Sequence, residues 1–243
     1  MGVVCVSYVG GANVGATNIM ISGVQMNDEA ARVLVVGRSP SVLEEVVGRL
    51  RGAGYRADVT NQFGEVLEDY DADGIDVLVF GGMVPPDTKE FLREEIGKRN
   101  TSVTVVQGMV GIPGVLAAQV DAATRGSGAA VVEYDEEERT IRLELPEDAW
   151  VTVEAFWMTS WTPPEPGSTS SMVFEGELAA GTREVALPDR VPGEAAFVVV
   201  RVGGDARVFA VGSIPQAVTR MVPKSAADQR LPEVAKVSTR TFS

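Results

Sequence analysis

A chain of 243 residues, 45% of them apolar, is long enough to bury a sizeable core in one large domain or two modest ones. Its formal charge of −13 excludes general binding to nucleic acid or to anionic membranes, both of which need clustered Lys and Arg. A single cysteine, Cys5, rules out an intramolecular disulfide and a Cys-rich metal site, and the absence of histidine removes the commonest metal ligand and the usual base of a Ser or Cys nucleophile.

Residues 1–27 carry no charge before Asp28, but they lack a basic segment and are broken by Gly10, Gly11, Gly15 and Gly23. That pattern fits neither an export signal nor a bilayer span. It reads as an extended or disordered leader, in which Val3 to Val9 adds an edge strand or makes an oligomer contact through that strand. With no other address in the sequence, a cytoplasmic location is expected.

Residues 28–134 alternate strand and helix signals. Arg32 to Val36 is a short apolar run that ends in Gly37-Arg38-Ser39-Pro40-Ser41, after which Val42, Leu43, Val46, Val47 and Leu50 recur at helical spacing. Ser39 as N-cap with Pro40 at the first helical position, or Ser41 with Glu44 as a capping box, supplies the start signal. Gly52 and Gly54 end that helix, Tyr55 to Val59 is a second strand, and Phe63, Val66, Leu67 and Tyr70 mark a short helix. Gly74 to Gly82 is a continuous apolar run released into glycines and Pro85-Pro86, the mark of a central strand buried on both faces. Asp87 and Glu90 frame another capping box, with Phe91, Leu92 and Ile96 as the inward face. Ser102 to Val106 is a fourth strand, Val115, Leu116, Gln119, Val120 and Ala123 carry a helix, and Ala129 to Tyr134 is a fifth strand. The expected fold is α/β, a five-stranded parallel sheet of flavodoxin/receiver-like or Rossmann-like type with helices on both faces.

From Asp135 the hydrophobic period becomes two. Ile141, Leu143 and Leu145, then Val151, Val153, Ala155 and Trp157, then Met172, Phe174, Gly176 and Leu178 alternate with polar residues, and further runs follow at 182–187, 196–202 and 207–211. Residues 135–212 therefore read as a small antiparallel β-sandwich domain, immunoglobulin- or fibronectin-like in layout. Residues 213–243 hold Arg220, Lys224, Arg230, Lys236 and Arg240 against Asp228 and Glu233, a net +3. They read as a basic extended tail that packs on the acidic body or on a neighbouring subunit.

The run RVLVVGRSPSVLEEVVGRL followed by DVLVFGGMVPP resembles the receiver domain of bacterial response regulators over about residues 32–134. That resemblance implies a flavodoxin-like sheet. Aligned on Met83-Val84-Pro85, it puts Gly81 where receivers carry the phosphoacceptor Asp, Gly37 and Arg38 where they carry Mg²⁺-binding acids, and Gln107 where they carry a switch Ser or Thr. No Lys ends the fifth run. The resemblance thus implies the shape without the phosphotransfer residues, a pseudo-receiver. Ala57-Asp58-Val59-Thr60 and Gly74 to Val79 also resemble NAD(P)-binding Rossmann proteins of the short-chain dehydrogenase type. Here only Gly37 stands in the first turn, with Pro40, Ser41 and Leu43 where further glycines belong, and the Tyr-x-x-x-Lys pair is missing.

At the C-terminal edge of such a sheet three loops offer Gly37, Arg38, Ser39 and Ser41, then Gly81 and Gly82, then Gln107, Gly108 and Gly111. Backbone N–H groups at helix starts make this rim a candidate anion or phosphate site. The alternative is that the glycines only make tight turns. Asp69 to Gly74 imitates the opening of an EF-hand loop, but Phe80 stands where the bidentate Glu belongs, and the run Asp135 to Glu138 reads as a solvated hairpin tip. No metal site is expected. Trp157 and Trp161, next to Pro163, Pro164 and Pro166, are candidate partner-binding residues or else close the sandwich core.

The sequence thus suggests a non-catalytic binding, regulatory or assembly protein without a cofactor, acting through a protein partner or self-association. The alternative is a nucleotide- or anion-binding sensor, or an NAD(P)-dependent enzyme, using the three-loop edge.

Overall fold

The computed structural model describes residues 30–109, 111–126, 128–162, 165–213, 222–228 and 231–241. The leader 1–27, Pro163, Pro164, Arg220 and Arg230, on all of which the sequence invites a reading, lie outside these residues. Strands β1 (Arg32–Val36), β2 (Arg56–Thr60), β3 (Val77–Phe80) and β4 (Thr104–Gln107) form a parallel sheet in the order β2-β1-β3-β4. Successive residues of β1 point to opposite faces, and both faces are apolar. Val33 and Val35 meet Val46 and Leu50 of α1 (Pro40–Gly52), whereas Leu34 and Val36 belong to a second cluster with Val66 of α2 (Val66–Asp69) and Leu92 and Ile96 of α3 (Pro86–Arg99). A parallel strand buried on both sides has to be apolar throughout, which is why RVLVV and VLVF read so plainly.

The fifth apolar run is not part of this sheet. Strand β5 (Val131–Asp135) pairs antiparallel with β6 (Thr140–Leu145), so the parallel sheet has four strands among the described residues, not the five expected. Two physical reasons decide it. Val131 is 48% exposed and shares its face with Glu133, opposite Val132 and Tyr134, so the strand has one apolar face only and cannot sit in a layer covered on both sides. The turn that follows, with Arg139 in the left-handed region at φ 51°, closes a hairpin at once, and that local closure costs less entropy than a long crossover.

The remaining strands are β7 (Ala149–Ser160), β8 (Gly167–Leu178), β9 (Gly181–Ala186), β10 (Ala196–Val202) and β11 (Asp205–Val211). They form two antiparallel sheets, β11-β10-β7-β8 and β5-β6-β9, that enclose Ile141, Leu143, Val151, Val153, Val198 and Val200. Met172, expected inward, is 43% exposed. The ladder pairs Val153 with Phe174 but Glu154 with Met172, so Val173 is an extra residue, and the bulge turns every earlier side chain of β8 to the opposite face.

One helix joins the two sheet systems. In α4 (Pro113–Thr124) every residue from Pro113 to Asp121 is buried. Leu116, Ala117 and Val120 pack on the parallel sheet, while Val115 and Ala118 pack with Phe156, Phe197 and Val199 on the outer face of the β11-β10-β7-β8 sheet. A helix apolar all round needs such double cover. The approach is closest at Gly114, where a Cβ would lie 2.2 Å from the Phe156 ring. Asp121 adds a polar tie, accepting from the Tyr55 hydroxyl at 3.0 Å and from Arg201 of β10 at 3.5 Å.

Candidate functional site

Ligands of open α/β sheets bind outside the carboxyl ends of the strands, and here the loops after β1, β3 and β4 do meet there. Three of their glycine N–H groups are already engaged. Gly37 N–H donates to Thr60 O at 3.1 Å, Gly81 N–H to Val36 O at 2.8 Å and Gly108 N–H to Phe80 O at 2.7 Å, so each glycine extends the parallel ladder by one rung. They are glycines because the chains approach closely: a Cβ on Gly108 would lie 2.5 Å from Leu116 and 2.8 Å from Phe80 O, and one on Gly81 3.3 Å from the Gly37 Cα. Gly82 has open space around its Cα. Gln107 turns its amide to the carbonyls of Phe80 and Gly108, at 3.3 and 3.1 Å. The buried Gln119 of α4 pins the same loop by donating to Gln107 O and accepting from Met109 N–H, both at 3.2 Å.

The start of α1 is occupied from a distance. Ser39 is the N-cap and Pro40 the first helical residue, as the sequence suggests, yet the Ser39 hydroxyl makes no cap to its own helix. It donates instead to the Glu165 carboxylate, which also accepts from the Ser41 hydroxyl and, at 3.3 Å, from the Ser41 N–H. Glu165 belongs to the connection between β7 and β8, so the long hairpin of the sandwich lays a carboxylate where a helix N-terminus favours an anion. Arg38 donates to the carbonyl of Pro232 in the tail. The rim residues expected from the sequence thus lie on three loops that meet at this edge, while Glu165 and Pro232, which engage Arg38, Ser39 and Ser41, are 124 to 194 positions away and carry no local signal.

The tail continues along the free edge of β2. Thr60 and Ser238 form an antiparallel bridge, Asn61 N–H donates to Val237 O, and Thr239 N–H donates to Val59 O. Asp58, fully buried in β2, accepts from the Thr239 hydroxyl at 2.7 Å, the Thr241 N–H at 2.6 Å, the Thr241 hydroxyl at 2.9 Å and Arg51 at 3.0 Å. Arg240 pairs with Asp69 at 2.6 Å, which gives a residue of the EF-hand-like run an ordinary ion-pair role. Asp71 of that run caps a short turn by accepting from Asp73 N–H. Among the described residues no group of three or more Asp, Glu or Cys side chains could hold a metal ion, and no helix is long and apolar enough to cross a membrane.

Tyr70 fixes the tail from below. Its hydroxyl lies 2.8 Å from Thr239 O and 2.9 Å from the Ser238 hydroxyl. Burial, with a smaller contribution from the Asp58 charge, raises its ionisation above the ordinary phenol value, and burial does the same at Tyr55. A raised folded value means that the tyrosine's contribution is complete below about pH 10 and is lost as pH climbs through the folded value. Tyr70→Phe should cost about 1 kcal/mol at neutral pH and flatten the alkaline fall in stability. Denaturant melts on both proteins at neutral and alkaline pH test this, and parallel losses would refute the assignment.

The aromatic candidates are both half-buried. Trp157 packs against the sandwich core, and Trp161 packs with Met109 and Met158 against the Ile112–Phe197 cluster. Trp150, which the sequence reading did not single out, is 57% exposed. The Asp87/Glu90 capping box does not form. Helix α3 begins at Pro86, and Asp87 accepts from the N–H groups of Thr88 and of Ala226 in the tail. Phe91, expected to face inward with Leu92 and Ile96, is 54% exposed, because its position on α3 falls outside the stripe those two define. Comparison with protein-family models finds no match to this chain, and comparison with curated proteins finds none either.

Proposed function

We propose that the chain is a non-catalytic binding and regulatory protein, built on a receiver-like sheet that cannot be phosphorylated at the usual position and working through a protein partner or through self-association. The observation that carries this reading is the Glu165 carboxylate on the first turn of α1, held by Ser39 and Ser41. An internal carboxylate at that turn repels the phosphate of an incoming nucleotide and takes the donors it would use. Gly81 supports the same reading, since the position aligned with the receiver phosphoacceptor has no side chain to accept a phosphoryl group. The Rossmann alternative is weakened by the Gly37 and Gly81 N–H groups, which donate to strand carbonyls and not outward to a pyrophosphate.

Full-length protein should show no mass gain after incubation with Mg²⁺ and a small acyl-phosphate donor, and no rise in melting temperature with ATP, GTP, cyclic nucleotides or NAD(P)H. Glu165→Gln should lower stability by less than about 1 kcal/mol, the usual value of one charge at a helix terminus. A nucleotide-dependent rise in melting temperature that Arg38→Ala abolishes would replace this reading with that of a nucleotide sensor. A light-scattering mass that stays monomeric at all concentrations would remove self-association and leave a separate partner.

A further inference from the structure

Beside the Glu165-occupied turn, on the same edge of the sheet, lies a groove of 560 Å³. It runs between the loop after β2 and the first turn of α3, and the tail turn at Ala226 forms one wall. We propose that this groove binds an organic cation, an ammonium or guanidinium group carried on an apolar stem.

Three observations support that chemistry. The volume lies within the range of about 300–1,000 Å³ common to small-ligand sites. The lining pairs two aromatic rings, Phe63 and the 54%-exposed Phe91, with two carboxylates, Glu65 and Asp87. A phenyl ring left in water beside a carboxylate suits a ligand with an apolar body and a positive end, since the ring face attracts a cation and the carboxylate pairs with it. The same two carboxylates repel phosphate, so the groove selects against the ligands expected of the neighbouring loops. Finally, the protein's own cation is already drawn to this rim, with the Lys236 ammonium 3.9 Å from Glu65. Asp87 stays ionised because the Ala226 and Thr88 N–H groups donate to it, holding its carboxyl below the ordinary range. Its hydrogen bonds to the tail also keep the Ala226 wall in position.

The inference goes beyond the proposed function and does not depend on it, because nucleotide binding is read at a different turn with different ligands. The test is a calorimetric or NMR titration of the full chain with phenethylamine, with the blocked dipeptide acetyl-Phe-Arg-amide, and with neutral 2-phenylethanol. Saturable binding of either cation, with shifts at Phe91 and Thr88 and weakening at higher salt, is expected. The dipeptide binding more tightly would identify a basic peptide as the source of the cation, and phenethylamine binding more tightly a free amine. Glu65→Gln, at a half-exposed side chain 3.9 Å from Lys236, and Phe91→Ala should each weaken binding by roughly tenfold. The proposal is overturned if neither cation saturates, if 2-phenylethanol binds as well as phenethylamine, or if both variants bind like the parent.

Discussion

Phe156→Ala should destabilise the protein by about 3–5 kcal/mol and break its unfolding into two steps. The side chain is 3% exposed and lies between β7 and the backbone of α4 at Gly114. Its removal leaves a cavity that the rigid pair of sheets cannot collapse to fill, because α4 is also held from the other side by Leu116 and Val120 in the parallel-sheet core. The contact belongs to the apolar cluster that ties the two sheet systems, with Phe197 and Val199 on the neighbouring strand and Val208 and Ala210 on β11. Weakening it should therefore cost cooperativity as well as stability. Tryptophan fluorescence reports the sandwich, since Trp150, Trp157 and Trp161 all lie in it or in its β7–β8 connection, whereas far-ultraviolet dichroism reports the helices of the parallel layer. Coincident denaturation curves for the parent and separated curves for the variant are the expected result. A loss below about 1 kcal/mol with the curves still coincident would show that the two layers touch without supporting each other.

The same region shows what could be read from the residues and what could not. Ala196 to Val200 is apolar at every position, with Val198 and Val200 turned to the sandwich core and Phe197 and Val199 turned to α4. Together with the all-round apolar PGVLAAQV of α4, this signalled a strand and a helix each covered twice, and so the docking of the two halves. A period-two pattern alone does not carry that signal. Strands β1 and β3 were legible because burial on both faces forces an unbroken apolar run. The run Ala129 to Tyr134 misled because its apolar count resembles theirs, whereas its alternation, Val132 and Tyr134 against Val131 and Glu133, belongs to a half-exposed edge. A bulge at Val173 changes no residue type and so leaves no trace in the sequence pattern. The rim residues were legible as a group because topology alone gathers them. Their engagement was not, because Glu165 and Pro232 reach the rim through tertiary contacts over 124 to 194 positions.

The second large effect is expected at Asp58. Asp58→Ala should detach residues 235–241 from β2 and lower global stability by about 2–3 kcal/mol. Three of the hydrogen bonds to this buried carboxylate come from the tail, through Thr239 and both groups of Thr241, and all are charge-assisted. The ion pair with Arg51 adds less than its 3.0 Å distance suggests, because Arg51 is 42% exposed and regains water when the partner is lost. Asp58→Asn separates charge from shape. The amide has one acceptor oxygen in place of two, so it presents a donor to either the Thr241 N–H or the threonine hydroxyls, and it should lose most of the same stability. Trypsin makes the local event visible, because Lys236 and Arg240 flank the bridge between Thr60 and Ser238. Cleavage there should be slow in the parent and roughly 10- to 100-fold faster in both variants, in step with the free energy lost. A freed β2 edge should also make the variants prone to associate through that strand. Unchanged cleavage with lowered global stability would mean that Asp58 supports the sheet and not the tail, and that the strap is held by Tyr70, Asn61 and the Arg240–Asp69 pair instead.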